Sequence, residues 1–313
     1  MQQGRVAWVV GATSSLGRGV ARELSRRGYT VGGVTRNLPG EEVTSWGFSE
    51  VVEGAAEERS YERLLTMLGR PAVVFHAVGS GSVGQAEQDP AANKVITVGS
   101  VRSLVAFLAD ASPQSHLIYP SSGAVYGSAG STGPCREDGP TIPVSTYGHH
   151  KLMAEAECHR HARRGGFVTI LRIFSVYGAP QKKLLFWDLA RRARSGERVI
   201  TLSGSGNEAR DFVALADVAT VVAGLAETEE AERIVNVASG AVTSVREAAE
   251  LFLGALDVRC ETAFTDPGRP GDPSIQRADI RWLANRGLRP TTSLEQGLAE
   301  YARWLKAESL AGR

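Results

Sequence analysis

Cysteine is scarce in this 313-residue chain, which has three. Cys135, Cys158 and Cys260 lie far apart, are odd in number and form no CxxC pair. That argues against a disulfide framework and for reduced thiols in a cytoplasmic protein. Net charge is nearly absent: 35 Lys and Arg face 34 Asp and Glu, for a formal +1. No global field therefore points to nucleic acid or to an anionic membrane surface. No apolar run approaches the length of a transmembrane helix. The opening Met1-Gln2-Gln3-Gly4-Arg5 leads straight into a strand and leaves no room for a signal peptide. Metal-ligand spacing is missing as well. The six histidines contain no HExxH, and His149, His150, His159 and His161 on one predicted helix read as a solvated or partner-facing surface. No metal is expected.

What is present is enough apolar material, 42% of residues, for one large α/β domain or two closely joined ones. Arg5 to Val10 reads as a buried strand running into Gly11-Ala12-Thr13-Ser14-Ser15-Leu16-Gly17, and Leu16, Val20 and Leu24 then recur at helical spacing up to Gly28. Strand, glycine turn and helix is the context in which backbone N–H groups can hold a pyrophosphate, with Gly11 allowing the turn and Gly17 a close helix–sheet approach. Tyr29 to Thr35 is the second strand, followed by Arg36. An acid at this position would hold the ribose hydroxyls of NAD, whereas a guanidinium can grip a 2′-phosphate. The sequence thus favours NADP(H), with NAD(H) possible. Further strands are expected at Val51-Val52, Pro71–His76 and His116–Tyr119. The fourth is followed by Ala77-Val78-Gly79-Ser80-Gly81-Ser82, small enough to pass beneath a cofactor. Strands and helices alternate without internal repeat, which predicts a doubly wound parallel sheet.

Tyr147 and Lys151 stand four residues apart on a predicted helix, hence on one face. A fixed ammonium beside a phenol favours the phenolate, and that would tune Tyr147 toward proton transfer. Past Gly178 shorter strands (198–202, 210–213 and 233–237) alternate with helices at 215–226, 245–256 and 294–305. Residues 1–178 are expected to form mainly a Rossmann-type dinucleotide domain. Residues 179–313 are expected to form mainly a smaller α/β substrate lobe, with some exchange of chain between the two.

The order of SSGAVYG at 121–127, YGHHK at 147–151, LRIFSVYG at 171–178, GSGNEARDFV at 204–213, DVA at 217–219 and RPGD at 269–272 resembles the extended short-chain dehydrogenase/reductase family, in its branch acting on nucleotide-activated sugars. The resemblance implies Ser122, Tyr147 and Lys151 as the catalytic set, with Lys151 also holding the nicotinamide ribose. It implies Gly11, Thr13, Ser14, Ser15, Leu16, Gly17, Arg36, Ala77, Val78 and Gly79 about the cofactor. Ser80, Ser82, Ser122, Ser175, Arg210 and Arg269 fall at the substrate, the two arginines at its phosphates. Asp211 and Asp217 read as structural, one beside an arginine and the other a helix N-cap.

Departures from the family pattern are Ser14 for the middle glycine, Ala55 for an aspartate at the adenine, Ser175 for a substrate-facing asparagine and Ile96 for the asparagine of the fourth helix. Family dehydratases carry a carboxylate just after the serine, where this chain has Gly123 and Ala124, so dehydration is disfavoured. Arg36 tilts the expectation to NADPH-dependent reduction of a nucleotide-linked 4-keto-6-deoxyhexose. The alternative is a nucleotide-sugar 4-epimerase resembling UDP-glucose 4-epimerases, and a non-catalytic NADP-binding protein comes third. A homodimer through the helices at about 97–110 and 146–163 is the expected assembly, with no nucleic acid and no membrane.

Overall fold

The computed structural model describes residues 5–38, 40–79, 81–129, 133–228, 232–265 and 273–311. The chain alternates β1 (Val6–Val10), α1 (Ser15–Arg26), β2 (Thr30–Thr35), β3 (Glu50–Glu53), α2 (Glu58–Leu68), β4 (Val73–His76), α3 (Val83–Gln88) and α4 (Pro90–Lys94). A π-helical turn, Val95–Gly99, joins α4 to α5 (Ser100–Ala111), and β5 (His116–Ser122), α6 (Thr146–Ala162) and β6 (Phe167–Ile173) follow. Then come β7 (Ser175–Tyr177), α7 (Leu184–Arg194), β8 (Val199–Ser203), β9 (Ala209–Ala214), α8 (Leu215–Leu225) and β10 (Glu232–Val237). The last elements are β11 (Val242–Ser244), α9 (Val245–Leu256), β12 (Glu261–Thr265), β13 (Ile275–Gln276), α10 (Arg281–Ala284) and α11 (Leu294–Ala311).

Seven strands form one sheet in the order β10-β6-β5-β4-β1-β2-β3, with the β3–β2–β1–β4–β5 pairings parallel. Strand order reverses between β1 and β4, and at such a point the loops leaving the two strands diverge and open a ligand crevice. The strands are near-continuous apolar runs because helices cover both faces of a parallel sheet. Trp8, Val10, Val74, Leu104, Leu108, Leu117 and Ile170 meet in one buried cluster.

Contacts divide the chain into two compact units. The first comprises Met1–Val125, Ser145–Arg172 and Ala219–Val235, and the second Tyr126–Val144, Ile173–Val218 and Asn236–Arg313. The strand expected at 233–237 in the substrate lobe is instead the outermost strand of the seven-stranded sheet, beside β6. The segment following Val125 goes the other way, into the second unit.

The second unit has its own sheet, with β9 antiparallel to β11 and parallel to β7 and β13, and a separate parallel pair β8–β12. Phe186, Phe212, Phe252 and Tyr301 lie in its apolar core, and Trp187 packs at that core's edge. Asp211 is fully buried here, and its carboxylate accepts hydrogen bonds from the Ser239 N–H and hydroxyl, the Gly240 N–H and the Ala278 N–H. Its partners are backbone and serine rather than the neighbouring arginine. Asp217 lies inside the first turn of α8, not at its N-cap, and accepts from the Thr292 N–H and hydroxyl, each at 3.0 Å. Both acids tie together segments distant in sequence.

By length and composition the continuous helical stretch Pro90–Ala111 could cross a membrane, contrary to the expectation from the sequence. Half of that window is buried within the chain, with Val101, Leu104, Val105 and Leu108 in the core beneath the sheet, as for a core helix of an α/β domain.

Because Asp211 satisfies several buried donors at once, Asp211→Ala should destabilise the protein by about 2–3 kcal/mol. Calorimetry should show a lowered Tm, and an unchanged Tm would remove Asp211 from this role.

Candidate active site

The turn after β1 is built for close backbone approach. Gly11 has φ +97°, and a Cβ there would lie 2.9 Å from the Ala77 carbonyl carbon. A Cβ at Gly17 would stand 2.4 Å from the Gly11 carbonyl oxygen. Ser14, at the position of the missing middle glycine, is the N-cap of α1, its Oγ accepting from the Gly17 N–H. That leaves its own hydroxyl proton to donate. Ser15 and Leu16 begin the helix, half-buried, where N–H groups have no helical acceptor. Thr13 shares a 2.8 Å hydrogen bond with Thr35 at the end of β2. Ala77, Val78 and Gly79 leave β4 across the strand-order reversal from this turn, all half-buried. A loop that would clash with any Cβ, closed on a capped helix start, fits a dinucleotide pyrophosphate. Arg36 is exposed just beyond β2.

α6 starts at an N-cap made by Ser145, which accepts from the Gly148 N–H. Tyr147 lies beside Ser122 at the end of β5, near enough for the serine hydroxyl to act on its phenol. Lys151 is buried, donates to the Pro120 carbonyl at 2.7 Å and lies 4.9 Å from the centroid of the Tyr119 ring. The expectation that Lys151 depresses the Tyr147 pKa is not met. Burial is the larger influence and pushes the phenol above its ordinary value, with the Ser122 hydrogen bond opposing it. The ammonium stands 5.9 Å from the Tyr147 ring centroid. His76, fully buried at the end of β4, is pushed down to about 4 by burial first and by the Lys151 charge second. It is therefore neutral at physiological pH.

Three residues, Thr97, Asn93 and Glu87, have no local signal in the sequence. The π turn at Val95–Gly99 inserts an extra residue into the helix, so Thr97 is fully buried while Val95 and Ile96 are exposed. The Thr97 hydroxyl and the Lys151 ammonium lie 3.6 and 3.7 Å from the point where a Gly79 Cβ would stand, so the helix offers threonine where the family asparagine was sought at 96. Asn93, buried, is bonded to His150 Nδ1 at 2.6 Å. His161 is buried too, so half of the supposed solvated histidine surface packs inward. Glu87 accepts from the Thr146 N–H at 2.8 Å and hydroxyl at 2.9 Å, bracing α6 one residue before Tyr147.

The proposed substrate residues are placed as follows. Ser82 is the N-cap of α3, accepting from the Gln85 N–H. In the second unit, Ser175 opens β7 opposite Phe212. There too Arg210 donates to the Ala209 and Pro273 carbonyls at 3.0 and 2.9 Å, so part of its guanidinium is engaged by backbone. Ser80 and Arg269 lie outside the described residues.

A doubly wound sheet with a glycine turn at its reversal, and serine, tyrosine and lysine gathered at the next strand end, defines a nicotinamide-dependent enzyme of the extended short-chain dehydrogenase/reductase type. The chain belongs to the NAD dependent epimerase/dehydratase family, whose sequence model matches residues 7–238. It is 29% identical over 308 residues to dTDP-L-rhamnose 4-epimerase of Burkholderia thailandensis, spanning 82% of this chain and 81% of that protein. It is 24% identical over 324 aligned residues to UDP-glucuronate 4-epimerase 2 of Arabidopsis thaliana, spanning 95% and 74%. Among solved structures, MoeE5 in complex with UDP-glucuronic acid and NAD matches with a TM-score of 0.85 at 26% identity, covering 97% of this chain and all of that one.

Since burial outweighs the Ser122 hydrogen bond, the difference in phenolate absorbance between the protein and Tyr147→Phe should titrate above pH 10. Ser122→Ala should move that midpoint higher. A midpoint below 10, or a downward move, would show that another influence governs the tyrosine.

Proposed function

We propose that this chain is a nucleotide-sugar 4-epimerase that inverts a secondary alcohol and recycles bound NAD. This replaces the net reduction with NADPH that Arg36 led the sequence to favour. The observation that carries it is the likeness, over most of the chain, to proteins named as 4-epimerases acting on dTDP- and UDP-sugars. The NAD-bound neighbour supports the cofactor. NAD, when bound, accepts a hydride and gives it back. Tyr147 would take the alcohol proton as its phenolate, a form that the positive charge of an oxidised nicotinamide would favour against burial, and return it as the phenol, while Ser122 would hydrogen-bond the same oxygen and Lys151 would supply a fixed positive charge nearby. Gly123 and Ala124 offer no carboxylate for eliminating water.

Net reduction of a 4-keto-6-deoxyhexose remains the second reading, favoured by the exposed guanidinium of Arg36 beyond β2. The purified protein is given NAD and, separately, UDP-glucose, UDP-glucuronic acid and dTDP-L-rhamnose. Inversion at C4 without accumulation of NADH is the expected result. Stoichiometric loss of NADPH with a nucleotide-linked 4-keto-6-deoxyhexose, and no inversion of any of the three, would overturn it in favour of reduction.

The assembly proposed is a homodimer. The helices α5 and α6 pack on one another; the π turn leading into α5 leaves Val95 70% exposed and α6 leaves Met153 39% exposed. Sedimentation velocity should show a dimer that Val95→Glu with Met153→Glu dissociates, and a monomeric parent protein would refute it.

A further inference from the structure

α6 carries a third polar residue in register with Tyr147 and Lys151. Glu155 follows Lys151 by four residues, so the three project from one face. Each reaches the end of β5. Tyr147 faces Ser122, Lys151 Nζ donates to the Pro120 carbonyl, and Glu155 Oε1 accepts from the Ser121 hydroxyl. Residues 120, 121 and 122 are thus all held from the same helix.

Glu155 is in turn gripped by Arg172 on β6, with Nε to Oε1 at 3.2 Å and Nη2 to Oε2 at 2.9 Å. Glu155 is 1% exposed, and Arg172 and Ser121 are 4% exposed. A buried pair of this kind is a poor source of stability, because desolvation offsets the attraction and an apolar pair of similar volume often serves as well or better. What it has that apolar packing lacks is direction. Apolar side chains let a helix slide or roll by fractions of an ångström, whereas a two-toothed carboxylate–guanidinium contact with a hydroxyl on the third side fixes both.

We propose that Glu155, Arg172 and Ser121 are positioning residues that set the rotation of α6 against the end of β5, and so hold Tyr147 beside Ser122. The groups facing Glu155 are Cys158 from α6 itself, Tyr119 and Ser121 from β5, and Arg172 from β6. Arg172 is the cation bonded to this carboxylate. Removing Glu155 alone changes both charge and geometry, so the neutral change Ser121→Ala is the cleaner probe.

This inference rests on Tyr147 being the proton-transfer group, and its first readout needs no substrate. The Ser122 bond lowers the Tyr147 pKa. Loosening it through Ser121→Ala should raise the phenolate titration toward that of Ser122→Ala, and Ser121→Thr should restore it. With whichever nucleotide sugar is turned over, kcat should fall roughly 10- to 100-fold with KM unchanged. The paired change Glu155→Met with Arg172→Met should keep the fold and show the same two effects. If that double variant is insoluble, Ser121→Ala decides alone by the same two measurements. An unmoved Tyr147 titration in Ser121→Ala would overturn the proposal whatever the substrate proves to be. A moved titration with no activity on any nucleotide sugar would leave the positioning standing and sink the functional reading instead.

Discussion

A phenol that must exchange a proton inside a protein interior is the constraint on which the rest of this site depends. Burial favours the protonated form, and at Tyr147 it wins over the one hydrogen bond that opposes it. The surroundings are kept otherwise quiet. His76 is neutral because its burial and the neighbouring ammonium both disfavour a second positive charge. Lys151 donates to a backbone carbonyl at the end of β5. A buried cation is costly, and it is tolerated where a developing negative charge will use it.

That arrangement is affordable because the sheet is placed first. Parallel pairing through β3, β2, β1, β4 and β5 fixes where each strand ends, and the reversal at β1 and β4 brings the glycine turn and the Ala77–Gly79 segment to one edge. The second unit is stitched by a different device. Asp211, Asp217 and Asn236 each bond segments far apart in sequence, and Asn236 also accepts from the Tyr126 hydroxyl at 2.7 Å. Short strands with little apolar surface of their own are joined there by buried polar groups, where the first unit relies on continuous apolar strands.

What the sequence made legible follows this division. The glycine turn, the strands of the first half and the Tyr147–Lys151 spacing are local patterns, and each keeps its meaning wherever the chain goes next. Residues 233–237 look like any short strand, and only pairing with β6 assigns them to the large sheet. Thr97 was hidden because a helical wheel assumes 3.6 residues per turn, and one π turn rotates everything after it. His150 and His161 looked solvated because α6 has a weak apolar pattern. The helix packs against α3, α4, α5 and β5 at once, and a helix enclosed on several sides needs no single apolar stripe. Asp217 was placed at a helix cap by residue type, but its partner Thr292 lies 75 residues away.

The end of β2 bears on the choice between recycling a cofactor and consuming one. β2 itself ends without a carboxylate: Thr35 is buried, bonded to Thr13 and to the Asn37 carbonyl, and just beyond it the Leu38 N–H donates to Glu53 of β3 at 3.3 Å. A 4-epimerase has to keep its dinucleotide while the sugar turns, so affinity lost at the adenosine ribose has to come from elsewhere. The glycine turn, the start of α1 and Lys151 are the groups that would supply it, at the pyrophosphate and nicotinamide halves of such a ligand. A reductase faces the opposite demand, since its oxidised cofactor must leave after each turnover, and an exposed Arg36 gripping a 2′-phosphate from solvent suits exchange better than retention. The same few residues thus separate the two chemistries by dwell time as well as by charge, and the residence time of bound NAD on the purified chain is the physical quantity on which the two readings part.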